Sequence, residues 1–279
     1  MSDDIRVWVN GTRIDARTPA LSAIDHGVTV GDGVFETAKV VGGEVFAYSR
    51  HATRLDRSLA GLGLGPADPE VVQAGIAAVL EEPLEFGRLR WTVTTGPGPL
   101  GSDRGDGGFT YIVTASAVAP MPPSTGVIVV PWTRNERAAT VGLKTTSYAD
   151  NVVALAYAKE RGAGEAIFAN TRGELCEGTG SNIFVVVGDQ ILTPPLESGA
   201  LAGVTRELVL EWCRADGIAA REETLPLGIL QEADEVFITS STRDVMPVDR
   251  VGDRVLQIGP MTKLASESFA THSAQTLDP

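Results

Sequence analysis

Cysteine is scarce in this chain of 279 residues: Cys176 and Cys213 are the whole supply, 37 positions apart and without a CxxC pair. A disulfide framework, a zinc site or a dithiol redox motif needs more sulfur or closer spacing. Both are expected to be reduced thiols packed as small apolar side chains. Positive charge is also short. Lys and Arg number 23 against 36 Asp and Glu, a net charge of −13. That balance argues against nucleic acid and against an anionic membrane surface as partners. No stretch approaches the roughly 18 consecutive apolar residues of a membrane helix. The acidic opening, MSDDIRVWVNG, has no hydrophobic run, so no signal peptide is expected. An acidic, cytoplasmic globular protein is the expectation. No internal repeat or low-complexity tract stands out.

What is present suits two modest domains, each with its own core. Residues 5–11 predict a strand ending in an Asn10-Gly11 turn, and 34–48 a hairpin turning at Gly42-Gly43. Helices are expected at 50–63 and at 69–82, the second opening on Pro69. Strands follow at 88–95 and 109–116, separated by a polar, glycine-rich loop at 96–108 that is a candidate substrate loop. The stretch AVAPMPPSTG at 117–126 reads as a stiff linker. The expected division is residues 1–117, a linker at 118–126, and a C-terminal domain at 127–279 carrying Lys144. Beyond the linker come a strand at 127–132, a helix at 150–162 with Asp150 as N-cap and Gly162 as its stop, and strands at 165–170, 182–187 and 235–240. A helix at 204–217 carries Val204, Leu208 and Trp212 on one stripe. Strands and helices mix without strict alternation, so the fold class is α+β.

The chemistry concentrates in a few blocks. GLKTTSY at 142–148 sets Lys144 among uncharged neighbours just before a helix. GELCEGTGSNIFVV at 173–186 sets Glu177 before small residues that let a flat ring approach. GALAGVTRE at 199–207 opens a helix whose first N–H groups make an anion site. EVFITSSTRDVMPV at 235–248 supplies hydroxyls after a strand. With IDHGVTVGDGVFET at 24–37 and HATRL at 51–55, these blocks resemble, in their order, the class IV (fold-type IV) pyridoxal-phosphate family. That family holds branched-chain and D-amino-acid aminotransferases, (R)-amine transaminases and aminodeoxychorismate lyases.

The resemblance implies a two-domain fold, pyridoxal 5'-phosphate as cofactor, and a homodimer. It implies Lys144 as the lysine that bonds the cofactor's aldehyde and Glu177 as the carboxylate beside the ring nitrogen. Arg54, Val204, Thr205, Ser240, Ser241 and Thr242 are the implied phosphate contacts, Ser241 the best placed of its trio. Leu201 matches the apolar residue packed on the ring. Tyr148 either meets the cofactor's 3-hydroxyl or is a core aromatic. On residue type alone each has a plainer reading: a surface lysine, a turn carboxylate, a solvated arginine, a helix N-cap.

The branch within the family rests on the N-terminal blocks. Thr37 matches a threonine of the lyases, whereas Glu36 matches the aminotransferases. The strand at 88–95 runs into Thr95-Gly96, where the lyases and D-amino-acid aminotransferases have Arg-Gly. A substrate carboxylate must therefore find another partner, with Arg104, Arg134 and Arg137 as candidates. Val34, Thr37 and Thr95 are the remaining candidate substrate contacts. The expected reaction is transfer of an amino group from an amino acid or (R)-amine to a 2-oxo acid. Aminodeoxychorismate lyase is the second reading, and a cofactor-binding protein without turnover the third.

Overall fold

Residues 86–94, FGRLRWTVT, alternate inward and outward: Leu89 and Trp91 are buried while Arg88 and Arg90 face out. That period of two is the signature of a sheet covered on one face. The computed structural model describes residues 5–279 and divides them into two units.

The first unit contains the described residues up to Pro120, together with Leu143–Tyr148 and Leu277–Pro279. Its elements are β1 (Arg6–Val9), β2 (Thr12–Asp15), a single-turn helix α1 (His26–Thr29), β3 (Gly33–Val41), β4 (Glu44–Val45), α2 (Tyr48–Gly61), α3 (Pro69–Leu80), β5 (Phe86–Thr94) and β6 (Thr110–Ala117). The strands form one six-stranded antiparallel sheet in the order β2-β1-β6-β5-β3-β4. Leu55 and Leu59 of α2 and Val72 and Val79 of α3 pack on Trp8, Val34, Leu89 and Trp91. Asp68 caps α3 by accepting from Glu70 and Val71 N–H. Ala47, at the head of α2, offers no side-chain cap; Asp278 instead accepts from Ser49 N–H at 2.9 Å.

The second unit contains Met121–Gly142 and Ala149–Thr276. It runs β7 (Thr125–Arg134), α4 (Ala149–Glu160), β8 (Glu165–Asn170), β9 (Leu175–Gly178), β10 (Asn182–Val187), β11 (Gln190–Thr193), α5 (Val204–Ala215), β12 (Ala220–Glu222), β13 (Glu235–Ser240), β14 (Asp244–Val251), β15 (Arg254–Val255) and α6 (Pro260–Ser273). Its nine-stranded sheet is mixed, with order β12-β11-β10-β13-β14-β7-β8-β9 and β15 paired to β14. The pairs β11–β12, β14–β7 and β7–β8 are parallel. The central strands are apolar on both faces because both are covered. Ile183, Val185, Val236 and Ile238 join one core cluster, while Phe184 and Phe237 point the other way and stack at 4.7 Å. Glu235, at the start of β13, caps α6 through the N–H groups of Met261 and Thr262.

Three expectations are corrected. Lys144 belongs by its contacts to the first unit: residues 143–148 return to pair with β3, so the 127–279 segment is not one continuous domain. β7 begins at Thr125, inside the expected linker, because the parallel ladder to β14 starts there. Asp150 lies in the first turn of α4 and is not its N-cap. The short strands β9, β11 and β12 and the helix α6 were not expected. Their apolar runs are too brief, or too interrupted by Ser and Thr, to show a period. Among the described residues, no helix is long and apolar enough to cross a membrane.

Phe237→Ala should destabilise the protein by about 3–5 kcal/mol, the usual cost of emptying a fully buried aromatic site. A fall in the urea midpoint checks it.

Candidate active site

In the first unit the segment 143–148 lies against the start of β3 as a short strap. Phe35 N–H donates to the Lys144 carbonyl at 2.9 Å and Thr146 N–H to the Gly33 carbonyl at 2.8 Å. Lys144 N–H donates in turn to Ser58 Oγ of α2 at 3.1 Å. The Gly31-Asp32-Gly33 turn makes this approach feasible. Gly31 has φ +70° and a Cβ there would stand 2.6 Å from Ser147 Oγ, while one on Gly33 would stand 2.8 Å from the Val93 carbonyl. The lysine backbone is thus fixed on three sides. Its Nζ lies 4.5 Å from the centre of the Phe35 ring and 5.9 Å from that of Tyr148, and the two rings meet edge to face.

Strand alternation divides the neighbours of this lysine. Phe35 and Thr37 lie on one face of β3; Val34, Glu36 and Ala38 lie on the other, in or beside the core under α2. Val34, expected as a substrate contact, is therefore a core residue. Arg90 of β5 pairs across from Thr37, and its Cζ stands 3.6 Å over the Phe35 ring. The Arg90 and Lys144 cations share one aromatic ring and lie within about 8 Å of each other. Arg90 was not among the residues expected here, because the family's arginine falls after the strand. Its place at an outward position opposite Thr37 was the available signal.

Arg54, expected as a phosphate ligand, is buried and forks onto Glu36, Nε to Oε1 at 2.7 Å and Nη2 to Oε2 at 2.6 Å. His51 Nδ1 meets Glu36 Oε2 at 2.7 Å. Burial pushes the Glu36 carboxyl upward, but Arg54 and His51 outweigh it and hold it at about 2, below the ordinary 4.5. Burial pushes His51 down from its ordinary 6.5, a shift that Glu36 opposes and that Arg54 and Lys144 reinforce. A neutral His51 donating from Nδ1 satisfies both the distance and the downward shift.

The 96–108 loop is tethered by Asp32, which accepts from Arg104 Nε at 2.7 Å and Nη2 at 2.8 Å and from Thr95 Oγ1 at 3.0 Å. Arg104 and Thr95 are thus engaged with Asp32.

In the second unit Glu177 sits on β9. Its Oε2 accepts the Leu201 N–H at 2.9 Å, and Arg134 Nε stands 3.4 Å from Oε1, within ion-pair distance though outside hydrogen-bond geometry. Arg134 also donates to Asn151 and lies over the Phe168 ring at 4.3 Å. It is a partner of Glu177. Arg137 is largely exposed, 3.9 Å from Glu136.

Leu201 is held by the bond from Asn182 Nδ2 to its carbonyl at 2.9 Å. Two residues on, Gly203 heads α5 without a side-chain cap, and a Cβ there would fall 1.9 Å from Asn182 Oδ1. Only glycine fits, and the first N–H groups of α5 are left for an anion. Val204 and Thr205 in this first turn are buried. Thr239, paired across from Asn182, carries a buried Oγ1 with no partner among the described residues. Ser240, Ser241 and Thr242 follow in the half-buried turn from β13 to β14, closed by Arg243 N–H to the Ser240 carbonyl at 3.1 Å. Thr239 was missed as well: a threonine at an apolar-face position of a buried strand was its signal.

Residues 33–251 match the model of amino-transferase class IV, and the chain belongs to that family. It is similar to a D-alanine aminotransferase of Bacillus licheniformis, 31% identical over 93% of this chain and 94% of the relative. It is similar also to an aminodeoxychorismate lyase of Bacillus subtilis, 29% identical over 88% of this chain and 86% of the relative. Among solved structures, a hypothetical aminotransferase from Mycobacterium tuberculosis in a pyridoxal-phosphate-bound form matches with TM-score 0.82 and 26% identity, covering 96% of this chain and 98% of that one. The enzyme is dependent on pyridoxal 5'-phosphate. The residues present fit that group: a fixed carboxylate for a protonated ring nitrogen, an uncapped helix head and an unpartnered buried hydroxyl for a phosphate, and a half-buried lysine amine. Among the described residues no cluster of side chains could hold a metal ion.

Glu36→Gln leaves Arg54 buried without its counter-charge, which should cost about 3–5 kcal/mol at neutral pH. The native carboxylate contributes stability that is complete above its ordinary 4.5 and is lost as pH falls through about 2. The urea-midpoint gap between wild type and variant should therefore narrow on going from pH 7 to pH 3.

Proposed function

We propose that this enzyme is an aminotransferase that moves an amino group from an amino acid, of either hand, or from an (R)-amine to a 2-oxo acid. The observation that carries the reading is the pairing of Lys144 Nζ and Arg90 Cζ on one aromatic ring, a base beside a carboxylate partner. Pyridoxal 5'-phosphate supplies an aldehyde that takes up an amine and a protonated ring that withdraws electrons from the amine's α-carbon.

The chain's own residues do the rest. Lys144 Nζ is the group that would hold the aldehyde of the bound cofactor, and as a free amine it would serve as the base that accepts a proton from the substrate's α-carbon and returns it. Glu177 would pair with the cofactor's protonated ring nitrogen, and the Leu201 N–H and Arg134 hold its carboxylate in place. The uncapped head of α5, Thr205, and the 240–242 turn bind the phosphate. The Leu201 side chain would lie against the ring. Tyr148, edge to face with Phe35, orients the lysine. Arg90 receives the substrate carboxylate. Arg54 acts through its buried pair with Glu36, on the opposite face of β3 from Phe35 and Thr37.

As part of this reading the enzyme works as a homodimer. Val28 and Val30 near α1 and Val152 and Val153 on α4 are exposed, as an apolar subunit contact requires.

Aminodeoxychorismate lyase is the second reading. It is favoured by Thr37, which lies on the same face of β3 as Phe35 and the lysine amine. A spectral titration separates the two. The cofactor-loaded enzyme is mixed in parallel with D-alanine, L-leucine, D-glutamate, (R)-phenylethylamine and aminodeoxychorismate. Loss of the visible band of lysine-bound cofactor with release of a 2-oxo acid or ketone identifies the donor. Failure of every amine, with pyruvate and p-aminobenzoate formed from aminodeoxychorismate, establishes the lyase.

Lys144→Ala should abolish that visible band and slow turnover by at least about a thousandfold. Arg90→Ala should raise KM for carboxylate substrates about 10–100-fold, the worth of a charge-assisted hydrogen bond. It should leave (R)-phenylethylamine, which has no carboxylate, nearly unchanged.

A further inference from the structure

Glu165, the first residue of β8, is almost wholly buried and belongs to none of the groups assigned above. Its Oε1 accepts the N–H groups of Ala166 and Thr179, each at 3.1 Å, and the Thr179 hydroxyl. Its Oε2 accepts Ser181 Oγ at 3.0 Å and Arg243 Nη1 at 2.8 Å. One carboxylate therefore ties together the 179–181 loop, which follows Glu177, and the turn from β13 to β14, which carries Ser240, Ser241 and Thr242.

The tie continues on its other side. Asn151 Nδ2 donates to the Thr179 carbonyl at 2.5 Å, and Asn151 Oδ1 accepts from Arg134, the partner of Glu177. An unbroken polar path thus runs from Glu177 through Arg134, Asn151, Thr179 and Glu165 to Arg243. The space is full: a Cβ on Gly178 would stand 2.4 Å from Ser181 Oγ and 3.2 Å from Glu165.

We propose that Glu165 and Arg243 are positioning residues that set the spacing between the phosphate-binding turn and Glu177, and so gauge the enzyme for a phosphorylated pyridine cofactor. The inference rests on the phosphate role of the 240–242 turn given above. A buried, fully hydrogen-bonded carboxylate has one low-energy geometry, so it transmits position where a pair of exposed side chains would not. Without Arg243 the turn keeps its backbone bond from residue 243 to Ser240 but loses its anchor to β8.

The test is equilibrium binding of pyridoxal 5'-phosphate and of unphosphorylated pyridoxal to the full chain freed of cofactor. Arg243→Gln is the main variant, because Glu165 keeps its four other donors and glutamine can still donate to it; Tm is read alongside to register the cost of the lost counter-charge. Its affinity for the phosphorylated form should fall about tenfold or more, on the scale of one charge-assisted bond to phosphate, while that for pyridoxal changes less than about twofold. Arg243→Lys should recover part of the loss.

Equal losses for both ligands, with only a lowered Tm, would overturn the proposal, since a purely structural tie does not discriminate between them. Ser241→Ala examines the underlying reading alone. If it lowers discrimination and Arg243→Gln does not, the turn binds phosphate and the positioning role is wrong. If Ser241→Ala leaves discrimination intact, the phosphate role of the turn fails and the proposal falls with it.

Discussion

Two backbone hydrogen bonds, from Phe35 N–H to the Lys144 carbonyl and from Thr146 N–H to the Gly33 carbonyl, organise the lysine side of the enzyme. They join Thr145 to Val34 in an isolated bridge at the end of β3 that β4 leaves uncovered, so the backbone groups of Gly33 and Phe35 on that edge are paired. With its N–H also donating to Ser58, Lys144 keeps only its side-chain torsions. The Phe35 and Tyr148 rings then limit where the amine can go. Everything else on this side is arranged about the resulting fixed point: Thr37 and Arg90 by register with β3, and Arg54 by its fork onto Glu36.

Both units treat charge alike. Buried and half-buried carboxylates are matched before any ligand arrives, among them Glu36 by Arg54 and His51, Glu165 by Arg243 and two hydroxyls, and Glu177 by a backbone N–H and Arg134. Such pairs contribute little net stability against apolar replacements, but removing one member is costly. What they secure is geometry. A charge held by two or three partners does not reorient when substrate enters, and preorganised charge is the larger part of most catalytic electrostatics.

Much of this was legible in the sequence, for identifiable reasons. Lys144, Glu177 and the two small-residue turns stand out because few residue types can do their work and their order along the chain is distinctive. The alternation of 86–94 and the capped start of α3 follow from local rules. Long-range pairing was hidden. Nothing local in GLKTTSY says that it leaves the second unit to join β3, which is why Lys144 was expected in the C-terminal domain. Arg104 and Arg134 looked available for substrate because their partners, Asp32 and Glu177, lie 72 and 43 positions away. Arg90 and Thr239 carried only the weak signal of facing the wrong way for their type. Val34 was misjudged by one position, and on a strand one position is the opposite face.

The strap has a bearing on biosynthesis. A chain leaves the ribosome from its N-terminus, and contiguous domains fold as they emerge. Here the first unit begins the chain yet needs Leu143–Tyr148 and then Leu277–Pro279, whose Asp278 caps α2. The nascent antiparallel sheet must wait, with the β3 edge open, while Met121–Gly142 is translated, and the cap on α2 must wait for Ala149–Thr276 as well. The unit started first is completed last, and the lysine reaches its sheet only after the chain has entered and left the other one.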